Sequence, residues 1–239
     1  KRTRKAVVAV FASLLFVQFS FFAYMLIGLP LKAPVLTIND TDIVLGQTTV
    51  KELMDKGFDI YTEKELTTWG DYKEFPHSEK FEKYVDTMDI SIPKGYHFQS
   101  TQVVPHGIGI LAKDDMMIAE VAFYGSMTKE MQLKDCSIIR FNMAEFIPEL
   151  DEKKVSVALN GIDLLSKLET DAMKKTFGKR FFGSKILWEE QIETDKRYHI
   201  SWNSSSDHLF FNSYVAIIEM DDDHFMKSMD LICQIARER

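Results

Sequence analysis

The sequence has few of the residues that build common metal and nucleotide sites. Its 239 residues include only two cysteines, Cys136 and Cys233, which are too far apart to form a CxxC zinc pair. None of its six histidines forms an HExxH pattern, and both the phosphate-binding GxxxxGK[ST] loop and the G-x-S-x-G elbow are absent. We therefore predict no cofactor. A catalytic triad built from distant residues stays open, because its members can come from anywhere in a chain.

With two cysteines, the chain can form one disulfide at most. Cys136 lies in the apolar run LKDCSIIRF, which predicts a buried strand. An exported location would permit a bridge between Cys136 and Cys233. We favour two free thiols.

Charge is absent from residues 6–31, AVVAVFASLLFVQFSFFAYMLIGLPL. A helix needs roughly 20 apolar residues to cross a bilayer, so this segment is long enough. A secretory signal has a shorter apolar region and a small-x-small cleavage site, which the exit GLPLKAP lacks. We predict a transmembrane anchor at 6–31 rather than a cleaved signal.

The flanking charges predict the orientation of this anchor. Residues 1–5, KRTRK, carry four cations and form a basic cytoplasmic stub, so residues 33–239 are expected to be extracytoplasmic. The other 25 basic residues stand against 36 acids, a formal charge of −11. A domain with this excess of acids lacks the net positive charge that releases counterions from phosphates, so nucleic acid is not an expected partner.

An internal repeat is the main organising feature of the remaining chain. Shifted by 121 positions, residues 36–58, LTINDTDIVLGQTTVKELMDKGF, lie over residues 157–179, VALNGIDLLSKLETDAMKKTFGK, without a gap. The four identical pairs are Asn39 with Asn160, Asp42 with Asp163, Thr49 with Thr170, and Gly57 with Gly178.

Each copy predicts a hairpin followed by a short helix. Asn39-Asp40 and Asn160-Gly161 are turn sequences between apolar segments. Thr49 and Thr170 are predicted N-caps, and Thr49 with Glu52 forms a capping box. Gly57 and Gly178 are placed to end the helices. The run LGQTTVKELMDKGF at 45–58 could instead cradle a phosphate, but Phe58 stands where such a loop needs lysine. We favour the structural interpretation.

Strands are predicted after each helix from alternation and β-branched or aromatic residues. They are HFQSTQVV, GIGILAKD, MMIAEVAFYG and CSIIRFNMA in the first unit, and KILWEEQI, RYHISWN and YVAIIEMD in the second. Two further helices are predicted at 77–88 and at the C-terminus, the latter through Phe225, Met229, Ile232 and Ile235. The predicted fold is α+β, with units at 32–153 and 154–239 that each pack a hairpin and helix on an antiparallel sheet. The two units could share one sheet or form two.

The pattern INDTDIVLGQTTVKELMDKGF resembles a recurrent module of uncharacterised membrane-anchored proteins of Gram-positive bacteria. More loosely, a capped helix that ends near Phe-Gly before a meander resembles repeats of β-lactamase-inhibitor-protein-like and outer-membrane-assembly lipoprotein domains. The sequence departs from the latter in having Lys179, not proline, after Gly178. The resemblance implies a domain that binds other proteins and carries no catalytic residues.

Two segments supply candidate site residues. The segment at 201–214, SWNSSSDHLFFNSY, is either an ordinary hairpin loop or a contact loop with Trp202, Asn203, Ser205, His208 and Tyr214 as binding residues. The segment at 219–226, EMDDDHFM, is either a solvated turn or a weak cation site formed by Glu219, Asp221, Asp223 and His224. Calorimetry with millimolar Ca²⁺ or Mn²⁺ tests the cation site.

These observations predict a single-pass membrane protein whose extracytoplasmic part binds an envelope protein or peptide without catalysis. The alternatives are an envelope hydrolase or transferase and a small-ligand sensor.

Overall fold

A computed structural model describes residues 2–27, 33–63, 81–96, 104–143, 155–177, 185–190, 196–204 and 212–235. Its helices are α1 (Arg2–Ile27), α2 (Val50–Asp55) and α3 (Thr170–Phe177), with a 3-10 turn at Leu133–Asp135. Its strands up to residue 142 are β1 (Leu36–Ile38), β2 (Thr41–Ile43), β3 (Asp59–Glu63), β4 (Phe81–Lys83), β5 (Ser91–Ile92), β6 (Ile108–Lys113), β7 (Met116–Tyr124), β8 (Met131–Gln132) and β9 (Ser137–Asn142). The later strands are β10 (Val157–Leu159), β11 (Ile162–Asp163), β12 (Lys185–Glu190), β13 (Lys196–Ser204), β14 (Asn212–Met220) and β15 (Met226–Gln234).

The two predicted hairpins form a single four-stranded sheet, in the order β11-β10-β1-β2. Strands β1 and β10 run antiparallel at its centre, where Thr37 faces Ala158. The two turn asparagines bridge the hairpins reciprocally. The Val35 N–H donates to Asn160 Oδ1 at 2.9 Å, and the Ser156 N–H donates to Asn39 Oδ1 at 3.1 Å. Both asparagines have positive φ, as their turns require.

The main sheet has nine antiparallel strands, in the order β12-β13-β14-β15-β9-β7-β6-β3-β4. Strands from both halves of the sequence therefore share one sheet, joined where β9 pairs with β15. Counted outward from this junction, β9, β7, β6 and β3 lie on one side and β15, β14, β13 and β12 on the other. Short β4 is added beyond β3. The pair β5-β8 forms a separate two-stranded sheet.

The hairpins and short helices pack against one face of the main sheet. The Gly46 N–H donates to Ile138 O at 2.7 Å, and the Val50 N–H donates to Cys136 O at 2.9 Å. In the second half the Tyr198 hydroxyl reaches Thr170 Oγ1 at 3.1 Å. These bonds place the apolar residues of both layers in one hydrophobic core.

The predicted fold class is confirmed in outline, as an α+β chain with an N-terminal apolar helix and antiparallel sheets. The capping box of α2 is also confirmed. Thr49 Oγ1 accepts from the Glu52 N–H at 3.2 Å, and Glu52 Oε2 accepts from the Thr49 N–H at 2.8 Å. Gly57 follows the helix at φ +82°, as its predicted role requires. The run at 45–58 thus has the local structure expected of a turn and helix.

Three sequence predictions are wrong. The C-terminal segment is strand β15, not a helix, and residues 81–83 of the predicted helix at 77–88 are strand β4, paired with β3. Thr170 is the first residue of α3 rather than its N-cap. The predicted helix stop at Gly178 and the strand at 97–103 lie outside the described residues.

Helix α1 is exposed over the part whose side chains the structure describes, residues 4–22. Its stretch Arg4–Phe22 has a mean hydropathy of 1.9, and none of it is buried. Within the described ranges it is the one helix long and apolar enough to cross a membrane.

Candidate functional site

The second half of the main sheet has one buried face and one partly exposed face. Along β14 the side chains alternate strictly between buried and half-buried. Residues directly opposite one another on antiparallel strands share a face, so the register extends this division to β13, β15 and β9. We call the half-buried side the open face. Its side chains include those of Arg197, His199, Ser201, Ser213, Val215, Ile217, Glu219, Ser228, Asp230, Ile232, Arg140 and Asn142.

Apolar side chains form the middle of the open face. Val215 lies directly opposite Ile232, and Ile217 lies between His199 and Asp230 on the neighbouring strands. All three aliphatic side chains are half-buried. An apolar centre with a polar rim is typical of a surface that binds another protein.

A charged cluster borders this centre where the two halves of the sheet meet. The Arg140 guanidinium on β9 donates through Nε and Nη2 to both Asp230 carboxylate oxygens, at 2.9 and 3.0 Å. Its Nη1 donates to Glu120 Oε1 on β7 at 2.7 Å. The side chains of Arg140 and Glu120 are only 11% and 8% exposed, so the low-dielectric surroundings strengthen the pair.

A second ion pair lies farther along the open face, between Arg197 on β13 and Glu219 on β14. The Ser228 hydroxyl also donates to Glu219 Oε2, at 3.2 Å. On β3, burial and the nearby Glu120 raise the pKa of Glu63. The acidic side chains Glu120 and Asp230 form ion pairs with Arg140, and Glu219 forms one with Arg197.

Arg140 and its partners were not among the site residues predicted from the sequence. A signal was present, because Arg140 is flanked by apolar residues in the predicted strand CSIIRFNMA. An arginine is seldom buried without a carboxylate partner. The partners Glu120 and Asp230 lie 20 and 90 positions away, and the register that brings them together is not encoded locally.

Of the predicted binding residues, only Tyr214 has a side chain in the described part of the structure. Tyr214 is 1% exposed, and its hydroxyl donates to Leu45 O at 3.1 Å, so it belongs to the core. Trp202 and Asn203 lie on β13, with side chains outside the described part of the structure. Ser205 and His208 lie outside the described residues. The contact loop therefore remains a prediction.

The predicted cation-site residues lie at the β14–β15 hairpin. Glu219 pairs with Arg197, while Asp221 Oδ1 accepts from the N–H groups of Asp223 and Phe225 at 3.0 and 2.9 Å. His224 has φ +68° in this turn. Among the described residues no group of three or more His, Cys, Asp or Glu side chains is placed to hold a metal ion. The cation site stays a prediction that the geometry does not favour.

Both cysteines are free and buried, as the sequence favours. Burial raises the pKa of each thiol to about 12, with Asp135 adding to the effect on Cys136. A nucleophilic cysteine needs a thiolate at neutral pH, so neither residue is suited to nucleophilic catalysis.

Comparison of the chain with protein-family models, with curated proteins and with solved structures gave no match.

Proposed function

We propose that this protein is a membrane-tethered module that binds an envelope protein through the open face of its sheet, without catalysing a reaction. The observation that carries the proposal is the strict alternation along β14, which leaves Val215 and Ile217 half-buried, not packed in the core, on the face opposite the fully packed one. A strand of a protein that had no partner on this side would more typically carry polar side chains there.

The partner we propose presents apolar side chains to Val215, Ile217 and Ile232. The charged residues beside them are already neutralised within the chain, Asp230 by Arg140 and Glu219 by Arg197. Such a face gains little from a strongly charged partner and more from burial of its aliphatic centre.

Helix α1 is the proposed tether. Apolar side chains point outward on all sides of it, among them Phe11, Phe16 and Phe19 at 64%, 72% and 75% exposure. A helix that is apolar all round requires either a protein core or a bilayer. The cations of residues 1–5 favour an N-terminus in the cytoplasm.

We also propose that the chain consists of two related units, 32–153 and 154–239. Three features support this: the ungapped match of 36–58 with 157–179, the reciprocal bonds of Asn39 and Asn160, and the mirrored strand order about the β9–β15 junction. The open face would then be a feature of the second unit and the junction.

Site-specific photo-cross-linking in native cells tests the binding proposal. A photoreactive residue replaces Ile217 in the full chain, and a matched probe replaces Lys174, which is exposed on α3. We expect one defined protein adduct from position 217, reduced at least tenfold by Val215→Asp, and none from position 174. Equal adducts from both positions, or none from position 217, would contradict the proposal.

A further inference from the structure

We propose that the protein forms a homodimer in which two copies of β12 pair antiparallel about Leu187, joining two nine-stranded sheets. Strand β12 is the last strand at one end of the main sheet, and no described strand pairs with its outer edge. It has six residues, whereas β4 at the opposite end has three. A long sheet edge of this kind offers a row of N–H and C=O groups to another strand.

Geometry limits the ways in which β12 can pair with its own copy. Two antiparallel strands of one sheet are related by a two-fold axis perpendicular to the sheet, so each face of one copy continues into the same face of the other. Successive residues of a strand lie on opposite faces, and directly opposed residues share a face. The axis must therefore pass midway between one residue and the same residue of the second copy, which face each other across the two strands.

Among these registers, the one centred on Leu187 is complementary at every directly opposed position. It places Lys185 opposite Glu189, Ile186 opposite Trp188, and Leu187 opposite Leu187 of the second copy. Opposite charges and paired apolar side chains across antiparallel strands stabilise a sheet, and like charges destabilise it.

The neighbouring registers lack this complementarity. Centring on Ile186 puts Lys185 opposite Leu187, and centring on Trp188 puts both Glu189 and Glu190 opposite aliphatic residues. Both alternatives place a charge against an apolar residue in the middle of the strand. The sequence KILWEE is therefore complementary to itself in one register.

The proposed register also continues the charge order already present across the open face. Within one copy Glu189 lies opposite Arg197, and Arg197 forms its ion pair with Glu219. Lys185 of the second copy would extend this row beyond Glu189, so that basic and acidic residues alternate over four adjacent strands. Alternation of this kind favours close approach of the two edges.

On the opposite face the register aligns apolar residues of β12 with the buried residues of β13. Ile186 lies opposite Ile200, and Trp188 lies opposite Tyr198, and both of these β13 residues are fully buried. Ile186 and Trp188 of the second copy would add two apolar residues at the same level. The proposed pairing of the two β12 strands thus continues the charge alternation on the open face and the row of apolar residues on the opposite face.

A pair of charge reversals tests the register in the full chain, reconstituted in nanodiscs. In a dimer of Lys185→Glu chains, each new glutamate faces Glu189 of the other copy. In a dimer of Glu189→Lys chains, each new lysine faces Lys185 of the other copy. We expect each variant to weaken the dimer by roughly tenfold, because two opposed pairs become repulsive. An equimolar mixture should restore a heterodimer, because both opposed pairs are then attractive. The mass of the complex is measured by light scattering, and far-UV circular dichroism verifies folding.

Cysteine cross-linking gives a second, independent readout. Leu187→Cys should form an intermolecular disulfide under mild oxidation, since directly opposed Cα atoms lie about 4.5–5.5 Å apart. Glu190→Cys is the control, because the proposed register separates the two introduced thiols by about 20 Å along the strand. The native Cys136 and Cys233 are buried and do not compete.

A monomeric full chain, a dimer unaffected by both single reversals, or cross-linking at Glu190→Cys without Leu187→Cys would overturn the proposal. Protection of β12 amides from exchange by an envelope protein, with the purified chain monomeric, would likewise assign the edge to a different partner. These outcomes are independent of photo-cross-linking at Ile217, so the dimer and the proposed function can fail separately.

Discussion

Gly46 lies where the loop before α2 contacts the C-terminal end of strand β15. Its backbone has φ +76°, and a Cβ atom there would lie 2.7 Å from Ile235 Cδ1 and 2.8 Å from Cys233 Sγ. Both the backbone conformation and the contact with β15 therefore call for glycine. Gly57 differs in one respect, because it has a similar φ of +82° but a Cβ atom there would have no neighbour within 4 Å.

Replacement of these two glycines separates crowding from backbone strain. We expect Gly57→Ala to lower the free energy of unfolding by about 1 kcal/mol, the cost of a left-handed alanine. Gly46→Ala should cost about 1–3 kcal/mol more, since it also overpacks the contact with Cys233. Urea denaturation measures both values. Equal losses would show that the Gly46 loop does not contact β15 as described.

Gly57 and Gly46 also show which roles of single residues can be predicted from the sequence. Gly57 was predictable as a helix stop, because its role depends on the six-residue helix directly before it. The role of Gly46 depends on Cys233 and Ile235, which are almost 190 positions away, and no local pattern identifies it. Arg140 is similar, since its position in an apolar strand predicts a carboxylate partner without saying which one.

At the scale of elements, Arg140 connects three strands that belong to both halves of the sheet. From β9 it binds Glu120 on β7 and Asp230 on β15. The group is largely buried, so removal of the guanidinium leaves two carboxylates in a poorly solvated place. It is a largely buried polar connection across the junction of the described strands.

Arg140→Met should therefore destabilise the protein by about 3–5 kcal/mol. Lys51→Met on α2 is the control, because Lys51 pairs with Asp55 at 3.2 Å but both side chains are about half exposed or more. We expect the control to leave the free energy of unfolding nearly unchanged, as is usual for solvated ion pairs. Thermal unfolding compares the two, and a small loss for Arg140→Met would argue against the buried cluster.

The C-terminal segment was predicted as a helix but is strand β15, and its sequence shows why a helix and a strand are hard to tell apart there. Phe225, Met229, Ile232 and Ile235 recur at helical spacing, but the strand buries Met226, Met229, Leu231 and Cys233. A register shift near Met220 breaks the alternation at Lys227, and Ile232 is apolar although it lies on the open face. Strand β4 was missed because its pairing with the edge of β3 overrides a helix-like pattern of charges.

At the scale of the whole molecule, the two halves of the chain meet in both layers. Strand β9 pairs with β15 in the main sheet, and β1 pairs with β10 in the small sheet. The hairpins and most of the strands were predictable from the sequence, but one shared sheet and two separate sheets stayed equally open. Pairing between distant strands depends on the assembled core, which local patterns do not encode.

The charged border of the open face exists only if both halves share the main sheet, because Arg140 and Asp230 come from different halves. The central claim is therefore that the halves form one body joined in both layers. A disulfide at the symmetric contact between β1 and β10 tests it most directly, because Thr37 lies opposite Ala158. Asp163 lies one strand farther, opposite Ala158 on β11, and supplies the control.

We predict that the double variant Thr37→Cys, Ala158→Cys forms an intramolecular disulfide under mild oxidation, because directly opposed Cα atoms lie within bonding range. The variant Thr37→Cys, Asp163→Cys should not, since two strand spacings separate its thiols by about 9.6 Å. Mass spectrometry of the oxidised full chain measures both. A bond in the first variant alone is the predicted result; its absence, or equal bonding in both, would contradict a single body formed from the two halves.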